Sequence, residues 1–445
     1  MSGEAALAQA ARPATTAPND ASPPAVPTQA GPLGIRFDFN EGARVALPPG
    51  RAWRVRLADL DTGSILFESE NQGAFITSSK RYYVRFRVQV WEAGANAPLL
   101  THDFDARDRE VLIRFYVGTL GDSIAWLPAA IAFQAQHRCR LTCAMSERLV
   151  PLFRDAYPNI TFTTPEAVQP ERFYAGYKMM MFYGDEHRLW NPREGRGMGL
   201  HESAAALLGV DPPPAPPRVV LPDESRPIEE PYVCIGTQAT AQAKYWNNPT
   251  GWRDVVGFLK AQGYRVLCID QKPVHGVGLV NNHMPHGVED FTGDRPLVER
   301  ARFLRHTAFF IGLSSGLSWL AWAAGCPVVL ISGFTHPTNE FSTPYRVINY
   351  HACNSCWNDP RLRFDNQDFL WCPRLAGTPR QFECTRLITA AQVIDTIKRI
   401  PARARVTGPR FAVVGLGVAT APRPGAVVES IQADAHTAAP GWGEA

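Results

Sequence analysis

Hydrophobic and polar positions follow two rhythms along this 445-residue chain. Over residues 34–106 they alternate with a period of two: Ile35, Phe37 and Phe39, then Trp53, Val55 and Leu57, then Ile65 and Phe67, then YVRFRVQVW at 83–91. Pro48-Pro49-Gly50 and Asp61-Thr62-Gly63 separate these runs. Period-two alternation punctuated by Pro and Gly predicts a small antiparallel β domain, a barrel or sandwich, with one face of each strand buried. Beyond about residue 107 the rhythm changes. Short unbroken apolar runs are each followed by a stretch at helical spacing, the pattern of fully buried strands alternating with helices.

The strands of this second region read VLIRFYV (111–117), RLTCA (140–144), ITF (160–162), YVCIG (232–236), YRVLCI (264–269), FFI (309–311) and VVLI (328–331). Helices are expected over 149–157, 202–208, 252–262, 300–306 and 317–324. The run at 174–183, with three methionines and three tyrosines, reads as a core strand. DPPPAPP (211–217), five prolines in seven residues, is a semi-rigid linker and the clearest domain boundary. Two α/β halves on either side of it suggest two Rossmann-like domains facing a cleft, the GT-B arrangement of glycosyltransferases. The same pattern suits an epimerase or a phosphorylase-like enzyme. The expected order is a disordered tail (1–33), the β domain (34–106), an acceptor-side α/β domain (107–215), a nucleotide-sugar α/β domain (216–400) and a second largely disordered tail (401–445), within which FAVVG (411–415) could form a strand.

Composition narrows the class without naming it. Hydrophobic content of 45% and charged content of 20% describe an ordinary globular protein. A net charge of +3 is too small, over this length, to argue for nucleic acid or an anionic membrane as partner, and neither is expected. No apolar run reaches the roughly 20 residues of a membrane span, and the Ala/Pro/Thr-rich N-terminus lacks the basic and apolar regions of a secretory signal. The default location is the cytoplasm. There, nine cysteines are not a disulfide framework, and a cluster of them calls for another explanation.

Chemistry collects at strand ends. After 111–117 comes GTLGD, a glycine turn opening a helix at Thr119, Leu120 and Gly121, with Asp122 at its start. Asp122 is either an N-cap or a carboxylate at the mouth of a cleft, able to take a proton from an acceptor hydroxyl. After 309–311 comes Gly312-Leu313-Ser314-Ser315-Gly316-Leu317, a small, hydroxyl-rich turn whose exposed N–H groups suit phosphate. Taken alone it could equally be a turn that binds nothing. Thr237 and Gln238 follow the strand at 232–236. Lys244, a little further on, is either a solvated lysine or a cation for a diphosphate leaving group. Asp270, at a strand end, could touch a base or ribose or cap its own loop. Cys353, Cys356, Cys372 and Cys384 form C-x2-C-x15-C-x11-C. Four soft ligands suit tetrahedral zinc or a mononuclear iron centre, and four sulfurs leave no open position for catalysis, so the metal is structural. Ligand identity does not choose between the two metals. The metal would staple a Trp- and Pro-rich loop that lacks its own core.

VGTLGDSIAW (117–126), GTQATAQAKYWNNP (236–249), GLSSGLSWLAWAAGCPVVLISGF (312–334) and the four cysteines together resemble the bacterial autotransporter heptosyltransferases, relatives of the lipopolysaccharide heptosyltransferases. The likeness covers roughly residues 34–400. In the lipopolysaccharide enzymes the phosphate turn usually reads Asp-Thr-Gly-Leu-Ser-His. Here Ser314 and Trp319 replace the Asp and the His, which, with the cysteine cluster, favours the protein-modifying branch. The resemblance implies an inverting transfer from ADP-heptose to serine hydroxyls of an autotransporter passenger domain, without a catalytic metal. Asp122 would be the general base, and Lys244 with the N–H groups around Ser315, Gly316 and Leu317 would stabilise the ADP leaving group. The four cysteines would hold one structural ferric ion, and the protein would form a large ring-like homo-oligomer. The rivals are a lipopolysaccharide core heptosyltransferase and a non-catalytic assembly scaffold.

Overall fold

The computed structural model describes residues 22–116 and 119–401. Val117 and Gly118, the tails, and with them the strand considered at 411–415, lie outside the described residues. The apolar runs form strands as expected: Glu110–Phe115, Arg140–Ala144, Ile160–Thr163 and Ala175–Met179 in the first half. The helix expected over 149–157 is a single turn, Val150–Phe153, because Pro151 suits only a helix start and Pro158 follows closely.

The boundary drawn at 106 does not divide the sheets. The strands of the alternating region split into two groups. Trp53–Asp59, Ile65–Asn71, Phe86–Glu92 and Leu100–Asp103 make a four-stranded antiparallel sheet, the β domain expected from the pattern. Arg36–Asn40, Arg44–Ala46 and Phe75–Thr77 instead extend the α/β sheet, because Arg36–Asn40 runs parallel to Ala175–Met179. The apolar faces of both groups share one core around Phe39, Phe86, Phe104 and Tyr174. Residues 22–33, expected in the disordered tail, are likewise tied down. Thr28 donates to Asp38 and to the Phe173 carbonyl, and Arg44 reaches the Pro24 carbonyl at 2.7 Å. Buried polar groups with partners need not stay in solvent, and this stretch supplies them.

The second half has one all-parallel sheet in the order Glu289–Asp290, Arg265–Cys268, Tyr232–Ile235, Phe310–Leu313, Val328–Ile331, Arg346–Val347. In chain order that is 3-2-1-4-5-6, the doubly wound arrangement. Its direction reverses between Tyr232–Ile235 and Phe310–Leu313, and ligands of such sheets bind outside the strand ends there. The first half reverses in the same way between Glu110–Phe115 and Ala175–Met179. Two Rossmann-like halves with an antiparallel β domain ahead of them make this a GT-B fold.

Candidate functional site

Both switch points open on the same place. The helix Leu120–His137 follows the first strand of one half, and the helix Gly316–Ala323 follows the fourth strand of the other. Their N-terminal turns abut. A Cβ on Gly316 would lie 2.8 Å from Leu120 Cβ, and one on Gly121 would lie 2.9 Å from Trp319 Cδ1. Only glycine permits that approach of two backbones. The positive ends of two helices therefore face a common crevice.

Asp122 is not the N-cap. Thr119 holds that position, Asp122 is the third helical residue, and the Thr119 hydroxyl donates to its carboxylate. Burial pushes the Asp122 carboxyl above its ordinary range, while the Thr119 hydrogen bond and the Lys244 charge pull it back. Lys244 ends the short 3-10 turn Gln242–Lys244. Its ammonium lies 5.3 Å from the centre of the Phe334 ring and 3.3 Å from Thr240 Oγ1. Burial lowers its pKa, and the carboxylates of Asp122 and Glu340 raise it. The two halves thus set a carboxylate and an ammonium within each other's field across the crevice.

The phosphate-type turn divides by role. Ser314 is buried and its hydroxyl bonds Thr335 Oγ1 at 2.8 Å; Thr335 in turn donates to Glu340 at 2.5 Å, and Arg346 pairs with Glu340 at 2.8 Å. This chain holds the turn against the next strand. Ser315 is the N-cap of the Gly316 helix, yet its side chain caps nothing, and its buried Oγ has no hydrogen-bond partner among the described residues. A buried hydroxyl without a partner is costly, so a ligand acceptor is its natural complement. Leu317 packs beneath the Gly236 turn.

Asp270 takes the second of its two expected roles. It is fully buried and accepts from Thr237 N at 2.7 Å, Thr237 Oγ1 at 2.8 Å and Gln238 N at 3.3 Å. It caps the 236–238 turn from below, and Thr237 gives its hydroxyl to it. Gln238 donates to the Lys272 carbonyl on the outside of the turn.

The four cysteines are reduced. The Cys384 thiol is pushed up to about 12 by burial first and then by the charges of Cys353, Cys356 and Cys372. In kind the four suit a single thiophilic ion, but among the described residues no group of three or more Cys, His, Asp or Glu side chains is gathered at one coordination centre. The expectation of a coreless loop is corrected. Phe334, Trp357 and Trp371 form a small buried core with Phe364 against it, ring centres 4.8–6.2 Å apart.

Several residues carry this site without any local signal in the sequence. Glu340, Thr335 and Arg346 stabilise the turn from a segment with no motif. Arg196 arrives from the first half and fills four carbonyls of the cysteine loop. Trp319 packs against His201 at 5.1 Å and Phe341 at 5.0 Å, which gives its departure from the lipopolysaccharide pattern a structural role at the contact between the halves.

Comparison with known proteins matches residues 31–94 to the N-terminal domain of glycosyltransferase TibC and residues 211–368 to glycosyltransferase family 9 (heptosyltransferase). The autotransporter heptosyltransferase BAHTCr of Citrobacter rodentium is 55% identical over 383 residues, 86% of this chain and 92% of that protein. TibC of Escherichia coli O78:H11 is 53% identical over 85% of this chain and 93% of its own length. BimC of Burkholderia thailandensis, described as an inactive autotransporter heptosyltransferase, is 49% identical over 85% of this chain and 89% of its own. The crystal structure of dodecameric iron-containing heptosyltransferase TibC in complex with ADP-D-β-D-heptose superposes with a TM-score of 0.81, covering 85% of this chain and 98% of that one. With this fold, this identity and this coverage, the chain belongs to the autotransporter heptosyltransferases, a group of GT-B glycosyltransferases within family 9.

Proposed function

We propose that this protein transfers heptose from ADP-heptose to serine hydroxyls of an autotransporter passenger domain, with inversion at the anomeric carbon. The observation that carries the reading is the pairing of Asp122 with Lys244 across a crevice into which two helix N-termini open. Asp122 accepts the serine proton as the oxygen attacks. Its raised pKa brings it closer to the hydroxyl it must deprotonate. The bond from the anomeric carbon to the diphosphate breaks, and the departing charge falls on Lys244, the N–H groups of Gly316 and Leu317, and the Ser315 hydroxyl. Thr119 orients the carboxylate.

Cys353, Cys356, Cys372 and Cys384 would hold one ferric ion, or zinc in its place, and the ion supplies a fixed geometry to the loop rather than chemistry to the reaction. As in the iron-containing dodecamer of TibC, the working form is a large homo-oligomer, and the site of action is the cytoplasm, before the passenger is exported. Among the described residues no helix is long and apolar enough to cross a membrane.

BimC shows that close relatives can carry a name of inactivity, so the site and not the identity must be tested. Co-expression with an autotransporter passenger followed by intact-mass measurement is the test. Mass gains in steps of one heptosyl unit are expected. A passenger of unchanged mass beside active protein on lipopolysaccharide would select the lipid-directed reading, and inertness toward both would select a scaffold.

A further inference from the structure

The first half's switch point has two banks. Asp122 follows the strand on one side, and residues 180–191 follow Ala175–Met179 on the other. Tyr183 lies on that second bank. It is 49% exposed, and its ring rests against two aromatics of the cysteine loop, Trp357 at 5.9 Å and Phe364 at 5.6 Å. Those rings are fixed in turn. Arg196 donates to the carbonyls of Trp357 at 2.7 Å and Leu362 at 2.6 Å, and Trp357 Nε1 donates to Asn339 at 3.0 Å. The loop, although it belongs to the nucleotide-sugar half in sequence, is thereby carried over to the acceptor bank.

We propose that Tyr183, backed by Trp357 and Phe364, is the platform on which the acceptor polypeptide rests, presenting its serine hydroxyl to Asp122. The proposal rests on the protein-acceptor reading above. A serine at the reacting position offers little side-chain area of its own, so a broad, rigid ring is what gives the acceptor polypeptide contact. The Asp122 carboxylate lies within electrostatic reach of Tyr183 and, with burial, keeps the phenol protonated, so Tyr183 leaves the base role to Asp122. The cysteine loop then has a second task. Beyond holding itself together, it stiffens the wall that selects the acceptor.

The test is steady-state kinetics on the full-length protein with purified passenger and ADP-heptose, varying each substrate in turn. Tyr183→Ala is expected to raise the acceptor KM about tenfold while the donor KM stays within about twofold. Tyr183→Phe keeps the ring and is expected to restore the acceptor KM to within about threefold. Phe364→Leu, which keeps an apolar side chain in the loop but removes the backing ring, is expected to move the acceptor KM in the same direction as Tyr183→Ala. Melting temperature and the number of thiols open to a thiol reagent, measured on each variant, separate this from loosening of the loop. An unchanged acceptor KM in Tyr183→Ala, or equal rises for donor and acceptor, overturns the platform alone. A wild type that hydrolyses ADP-heptose but never modifies the passenger overturns the protein-acceptor reading, and the platform with it.

Discussion

The Arg196 guanidinium donates through Nε to the Trp357 carbonyl at 2.7 Å, tying together two residues 161 positions apart in the chain. The same group reaches the carbonyls of Cys356 at 3.1 Å, Asp359 at 3.0 Å and Leu362 at 2.6 Å. A loop that turns its carbonyls inward needs donors, and one planar fork supplies four contacts at once.

Arg196→Ala should therefore leave several half-buried carbonyls without partners. The expected cost is about 1–3 kcal/mol, the range for leaving buried acceptors without a donor. Arg196→Lys should recover only part of it, because an ammonium cannot span the fork. Thermal melts should show the loss, and faster labelling of Cys353, Cys356 and Cys372 by a thiol reagent should place it in the cysteine loop.

Asp122→Asn keeps the size and the acceptor for the Thr119 hydroxyl but cannot take a proton. Since Thr119 and not Asp122 is the N-cap, the helix should be unaffected and the melting temperature should stay near wild type. Transfer to the passenger should fall by about 10²–10⁴-fold, the usual contribution of a general base. Mass spectrometry of the passenger measures it. Retention of full activity would remove Asp122 from the mechanism.

Which parts of this could be read from the chain follows from how local each signal is. The buried strands announced themselves as apolar runs, and the Gly316 helix as small residues before helical spacing, because both are set within about ten residues. The Arg36–Asn40 strand did not announce its sheet. Its alternation is that of a half-buried strand, and the pairing with Ala175–Met179, more than 130 residues away, decides which sheet it joins. Asp122 and Lys244 stood out at strand ends, where the fold concentrates chemistry. Asp270 stood at an equivalent end, and only the direction of its side chain separates a capping role from a binding one. Tyr183 reads as the end of a core strand, but the strand stops at Met179 and leaves it half exposed. Arg196 lies in the short 3-10 turn Gly195–Gly197, and the importance of both arises from a loop that reaches them from the other half.

Ser315→Ala offers an unusual pair of effects. Because the hydroxyl is buried without a partner, its removal should leave the unliganded protein equally stable or slightly more so. Donor binding should weaken by about 1 kcal/mol, the net worth of one hydrogen bond. The rise in melting temperature on adding saturating ADP should be smaller in the variant than in the wild type. A clear loss of stability in the unliganded variant would mean that the hydroxyl already had its partner.

Acid should destabilise the fold through its buried histidines. His102, His137 and His201 all have pKa values lowered by burial, so each binds a proton more readily when unfolded. Their contribution is intact above an unfolded pKa of about 6.5 and is lost as pH falls below it. His102 packs on Phe37 and His137 on Phe133 within the shared core, and His201 sits on Trp319 at the contact between the halves. Melting temperature is expected to drop between pH 7 and pH 5. His201→Phe should flatten part of that slope.

Gly316→Ala tests the closeness of the halves. The added methyl would stand 2.8 Å from Leu120 Cβ and 3.2 Å from the Gly121 nitrogen, and one of these is backbone that cannot step aside. Either half could accommodate the alanine alone, since it favours the helix. The strain falls instead on the junction, where overpacking typically costs about 1–3 kcal/mol. Separating the two N-terminal turns also moves Asp122 away from Lys244. The variant should remain folded, melt a few degrees lower and lose transfer out of proportion to its stability. A variant that keeps wild-type transfer would show that the two helix ends need not meet during the reaction.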